Sequence, residues 1–260
     1  MAAVNAPLRT WYLLVSLAAA LAPSSSRAGT DNDIPSCYVA NKLEKFAPPV
    51  EQEVVLLVDQ TTALDAKLQQ DVREHFGRLV RPGAAFVVAT FSQYGQDRYT
   101  KVLKAGTLEG PMPDKVREDI SMRRLKDFDT CLGNQLNYGR NVAAAAIKEA
   151  LLGQSSDLAK SDIMSSLKEV SARVRGSKAK DRIVFLVSDM LENSSISSFY
   201  AKRTLRLIDP VAEMKKAESN AMLGDFGGAR VYVLGAGLMD DIVGKDKSKA
   251  AYRDPKVIRA

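Results

Sequence analysis

The sequence has little of what most catalytic and metal centres are made of. Among its 260 residues there are one histidine, one tryptophan and two cysteines. Two cysteines and a lone histidine fall short of the four ligands of a structural zinc centre. A cysteine hydrolase built on Cys131 would have only His75 as its base, and His75 sits among charged residues as a surface side chain would. No Gly-x-Ser-x-Gly elbow surrounds Ser188. No glycine-rich phosphate loop follows the first buried strand, and Gly235-Ala236-Gly237 is too short to act as one. A phosphatase with an aspartate nucleophile wants a second Asp two positions on, where this chain has Thr61. The chain is therefore read as non-enzymatic, with an unrecognised hydrolase as the least favoured reading.

Long apolar runs are also missing. The longest, Trp11 to Ala22, follows a single basic residue, Arg9, and is shorter than the roughly 20 residues that span a bilayer. Small residues follow it, with Ser26 and Ala28 placed as a cleavage signal, so residues 1–28 are expected to be a signal peptide. No cysteine near Ala28 offers a lipid anchor. Export implies a periplasmic or secreted protein, and loss of Arg9 and Arg27 lowers the net charge from +6 to +4. The remaining basic clusters, Arg123-Arg124-Lys126, Lys178-Lys180-Arg182 and Lys245-Lys247-Lys249, carry no interleaved aromatics. They read as solvated surface and not as a nucleic-acid patch. In an oxidising compartment Cys37 and Cys131 can form one disulfide; two unpaired buried thiols are the alternative. The bridge would close a loop of about 95 residues and contribute roughly 4–5 kcal/mol in the chain-entropy model.

What is present is an ordinary folding composition, 46% hydrophobic and 26% charged. Residues 29–50, with Pro35, Pro48 and Pro49, read as an extended lead-in to one domain over 51–260. Glu53 to Val58 is a continuous apolar run ending at Asp59, as expected of a strand covered on both faces. Thr62 and Asp65 resemble a capping box. After them Leu64, Leu68, Val72, Phe76, Leu79 and Val80 share one helical face. Further strands are expected at 84–90, at 183–187 and at 231–234, with a lysine-bearing edge strand at 99–103. Residues 106–140 read as irregular, with one helix near 114–122. Helices are expected at 141–152, after a Ser161 cap, near 199–207 and over 211–223. Asp254-Pro255 reads as the start of a short final helix. The alternation predicts an α/β fold, a doubly wound, mostly parallel sheet with helices on both faces and one antiparallel edge strand.

In such sheets ligands bind beyond the carboxyl ends of the strands. Asp59 and Asp189 both occupy that position. VVLLVDQTTALD resembles the first strand and loop of von Willebrand factor type A domains, and FLVSDMLENS resembles that family's later strand. The resemblance covers roughly residues 51–240. It implies a metal-ion-dependent adhesion site, with Asp59 first, Thr61 as the second hydroxyl-bearing position and Asp189 as the late aspartate. The third position falls on Ala63, which has no oxygen to offer. The family's separate threonine is expected before the Ala-rich helix, where Thr130 is the candidate ligand, with Asn134 and Asn137 beside it. Mg²⁺ takes about six oxygens and accepts waters for several of them, so the set implies loose Mg²⁺ or Mn²⁺ coordination completed by a partner's acidic side chain.

The expected function is an exported protein-binding module of adhesion or scaffold type. It would use loops 59–63, 129–139 and 189–198, with Thr62, Asn134, Asn137, Ser194 and Ser195 facing the partner. The alternative is a metal-free envelope-assembly or scaffold component with the same fold.

Overall fold

The computed structural model describes residues 32–92, 100–154, 161–201 and 204–238. The expected signal peptide, Tyr99, the lysines at 245–249 and the Asp254-Pro255 cap lie outside these residues. In chain order the elements are α1 (Cys37–Ala40), a 3-10 turn (Glu44–Phe46), β1 (Gln52–Asp59), α2 (Ala66–Leu79), β2 (Ala84–Phe91) and β3 (Thr100–Leu108). Then follow α3 (Asp114–Arg117), α4 (Met122–Leu152), α5 (Ile163–Gly176), β4 (Asp181–Val187), β5 (Tyr200–Ala201), β6 (Thr204–Leu205), α6 (Pro210–Ser219) and β7 (Arg230–Leu234).

Five strands form one sheet in the order β3-β2-β1-β4-β7. All neighbours are parallel except β2 and β3, which run antiparallel with a bulge at Val88/Ala89. The unalternating apolar run of β1 is explained by burial on both faces. Val54, Leu56 and Val58 pack with Val72 and Phe76 of α2 and with Ala143, Ala146, Ile147 and Ala150 of α4. Val55 and Leu57 point the other way, into Ile163, Val170 and Val174 of α5. Each such fully buried aliphatic side chain contributes roughly 1.5–3 kcal/mol. The chain is thus α/β, with a mixed, mostly parallel sheet between helices. His75 is exposed on α2, and Arg123, Arg124 and Lys126 are exposed on the first turns of α4.

Several local expectations are corrected. Residues 106–140 are mostly ordered: β3 runs on to Leu108, α3 is a single turn, and α4 is one helix of 31 residues. Glycines and asparagines at 133–141 mask its helical period, but Leu125, Phe128, Gln135 and Gly139 are buried at helical spacing. Loop 129–139 is therefore helix. The lead-in is not simply extended. Tyr38 and Leu43 pack with Met112 and Phe128 as a third apolar cluster. Cys37 is bonded to Cys131 across a Cα–Cα distance of 5.7 Å. Glu109 caps α1, accepting from Cys37 N at 2.6 Å, Tyr38 N at 3.3 Å and the Ser36 hydroxyl. Tyr38 donates to the Gly110 carbonyl at 3.0 Å, and burial pushes its phenol up to about 12.

The caps also differ from the sequence reading. Asp65, not Thr62, caps α2 by accepting from Leu68 N at 2.8 Å. Asp162, not Ser161, caps α5 by accepting from Ser165 N at 3.1 Å. The expected helix near 199–207 is instead the β5–β6 pair, Tyr200 opposite Leu205 and Ala201 opposite Thr204. Arg206 fastens that pair by donating from Nε to the Ser198 carbonyl at 2.7 Å. The helix expected over 211–223 is α6, which ends at the Asn220 cap.

Candidate functional site

The parallel register of β1 and β4, with Val58 opposite Val187, brings Asp59 and the Ser188-Asp189 turn to the same edge of the sheet. Asp59 is fully buried, at 0% exposure. Its Oδ1 accepts from Thr61 N at 2.9 Å and from the Thr61 hydroxyl at 2.6 Å. Its Oδ2 accepts from the Ser161 hydroxyl at 3.0 Å and the Ser188 hydroxyl at 2.8 Å. Burial pushes the Asp59 carboxyl above its ordinary value, and the four hydrogen bonds pull against that shift.

Around this hub the loops are pinned to one another. Gln154 donates to the Asp59 carbonyl at 3.2 Å, and Gln60 donates to the Ala150 carbonyl at the end of α4 at 3.0 Å. The Thr62 hydroxyl is buried and accepts from Asp189 N at 3.3 Å. The Asp189 carboxylate accepts from Leu191 N at 2.8 Å, and Met190 turns the chain at φ 61°. Gly235, at φ 99°, lies where a Cβ would come within 3.2 Å of the Ser188 carbonyl, so the end of β7 needs glycine there. Glu192 is buried and reaches back to α5, its Oε2 accepting from Ile163 N at 2.9 Å and Met164 N at 3.0 Å.

Asp59, Thr61, Thr62 and Asp189 thus meet at one place. Ser194 and Ser195 sit on the same loop as Asp189: Ser194 closes a turn with Ser197 (N to carbonyl, 2.8 Å), and Ser195 is exposed. Thr130, Asn134 and Asn137 are elsewhere. They are exposed on the flank of α4, the Thr130 hydroxyl bonded to the Lys126 carbonyl at 2.8 Å. At 1.5 Å per residue they lie roughly 20–30 Å down the helix from Ala150, where Gln60 docks.

Ser161, Ser188 and Glu192 are the residues that sequence reasoning missed as partners of the site. One signal was available: the dipeptide Ser-Asp occurs at 156–157, 161–162 and 188–189, and the serines of the last two donate to Asp59.

The donor set bears directly on the cation implied by the resemblance. A carboxylate offers about four lone-pair sites, and the four hydrogen bonds to Asp59 use them. Ala63 contributes no oxygen. Among the described residues there is no group of three or more His, Cys, Asp or Glu positioned to hold a metal ion. As arranged, both oxygens of the Asp59 carboxylate are engaged, each by two hydrogen bonds.

Fold and site together define an α/β protein whose strand-end carboxylate is the hub of its upper loops. No family model matches the chain, and no curated protein matches it. Among solved structures, the three N-terminal domains of a type V pili tip protein from Porphyromonas gingivalis are similar at a TM-score of 0.30 and 13% identity, over 56% of this chain and 21% of that one. The chain thus spans about a fifth of that protein chain's length. Among the described residues, no helix is long and apolar enough to cross a membrane.

Proposed function

We propose that this chain is an exported protein-binding module of adhesion or scaffold type, and that it works without a resident cation. The observation that carries the reading is the closed Asp59 hub. It fastens the loop after β1, the start of α5 and the base of the loop after β4 into one upper surface, on which Ala63 is half-buried and Ser195 exposed. The position of this surface at the carboxyl ends of parallel strands, where α/β folds place their ligands, supports the same reading. The strand order with its antiparallel edge supports kinship with the doubly wound von Willebrand factor type A fold. The Cys37–Cys131 disulfide supports an oxidising, extracytoplasmic location. The reading is also supported by the state of the hydroxyls, since Ser161 and Ser188 are buried and both donate to Asp59.

The test is capture of envelope proteins on the immobilised full chain, on Ala63→Arg and Ser195→Arg, and on Lys148→Glu from the outer face of α4 as control. The two tip variants are expected to lose a partner that the wild type and the control retain. Capture unchanged in both tip variants would overturn the surface assignment. Calorimetric titration with Mg²⁺ and Mn²⁺ is expected to give no saturable heat. Saturable binding lost in Asp59→Asn would instead establish the cation-dependent form of the module.

A further inference from the structure

We propose that Glu192 is a pH-responsive clasp that holds the 188–198 loop against the start of α5 and releases it when its carboxyl group loses a proton. The geometry is that of a fastening. Glu192 is only 2% exposed, and one oxygen caps two amides of α5. The adjacent Asn193 N–H donates to the Ser161 carbonyl at 2.9 Å, and the Glu192 carbonyl accepts from Phe199 N at 2.8 Å. Moving Glu192 outward therefore detaches the loop from residues 161–164 as a unit.

The same geometry makes the ionised form costly when closed. Oε1 is buried and meets no protein donor at bonding geometry, and a buried carboxylate oxygen that no protein donor reaches disfavours the charge. The groups facing it do not repair this. Asp162, at the start of α5, is acidic. Arg206 beside the β5–β6 pair and Lys216 of α6 are both engaged with Glu213. The α5 N-terminus and the Ser194 hydroxyl favour the charge, but not enough. Burial first, then the Asp162 charge, pushes the Glu192 carboxyl up to about 7.

A loop swung into water returns Glu192 to the ordinary carboxylate range, so the closed state binds the proton more tightly than the open one. Protons then favour the closed loop, and opening grows as pH rises from the ordinary carboxylate range through about 7. Between pH 5.5 and 8 the opening equilibrium should grow on the order of 10–30-fold. Regulation of partner binding by this device rests on the function proposed above, whereas the clasp is read on the loop itself.

The experiment is amide hydrogen exchange at pH 5.5 and 8, corrected for intrinsic rates, with α4 amides as the internal control. In the wild-type chain, protection of residues 161–166 and 189–199 is expected to fall on the order of 10–30-fold at the higher pH while α4 is unchanged. Glu192→Gln should stay protected at both values, and Asp162→Asn should move the transition to lower pH. Equal wild-type protection at the two pH values, or the same pH response in Glu192→Gln, would overturn the clasp. Should Glu192→Gln fold poorly, an unmoved transition in Asp162→Asn counts against it independently.

Discussion

Asp59 shows how one side chain organises a surface. Its carboxylate gathers the hydroxyls of Thr61, Ser161 and Ser188 and the Thr61 amide, the two serine bonds buried and the two Thr61 bonds half-buried. Removing the acceptor leaves every one of those donors without its partner, at about 1–3 kcal/mol for each that water cannot reach. Asp59→Ala is therefore expected to destabilise the fold by on the order of 3–5 kcal/mol in urea unfolding. Ser188→Ala removes one donor of four and should cost about 1 kcal/mol. Equal, small losses in both would show that the hub is not what holds the loops. Asp59 and Asp189 were legible because an apolar strand that stops at a carboxylate marks a strand end. Thr61 was legible only through the resemblance. Ser161 and Ser188 were not legible, because a hydroxyl's partner is set by which loops meet in space. Ser161 reads locally as a helix cap, yet Asp162 takes that place and frees Ser161 for Asp59.

At the scale of elements, the segment before β1 is a strap across the β3 edge. Asp33 exchanges bonds with Ala105 through its amide at 2.7 Å and its carboxylate at 2.9 Å, and Asn32 accepts from Thr107 N at 3.1 Å. Ile34 is the strap's anchor and is 2% exposed. It fits because two glycines leave room: a Cβ on Gly106 would overlap Ile34 and Phe86, and one on Gly139 would overlap Leu108 beside Ile34. Ile34→Ala should cost 2–4 kcal/mol or so if the slot does not collapse. Removing the bridge with Cys37→Ser and Cys131→Ser should cost about 4–5 kcal/mol in the chain-entropy model, read as a shift in the urea midpoint without reductant. A midpoint unchanged in the cysteine pair would mean that the strap is held by packing alone. This coupling explains why the central elements were readable and α4 was not. Strands β1, β2 and β4 declare themselves by composition. The first half of α4 is helical because Phe128, Cys131 and Leu132 close over α1, a contact made by residues some ninety positions apart. The β5–β6 pair is likewise fixed from outside, by Arg206 and Glu213.

For the molecule as a whole, the acid limb of stability has a named contributor. Glu213 is buried, which alone would raise its carboxyl, but bonds from Ser197, Arg206 and Lys216 hold it down at about 2. A depressed carboxyl stabilises the fold above its unfolded value, and that contribution is lost as pH falls from the ordinary carboxylate range toward about 2. Glu213→Gln should therefore unfold more easily at pH 7 and lose part of its sensitivity over that acid range. The two edges of the sheet are treated differently. The β3 edge carries Lys101 and Lys104 and lies under the strap, devices that keep edges from pairing with other chains. On β7, Val231, Tyr232 and Val233 are 42–47% exposed, and among the described residues no strand pairs with its outer side. Three adjacent apolar residues on an edge that no described strand pairs with favour self-association. Val233→Lys should lower concentration-dependent association in sedimentation while changing stability by no more than about 1 kcal/mol. Association that persists at the same strength would move the sticky surface off this strand, toward the exposed Leu207, Val211 and Met214.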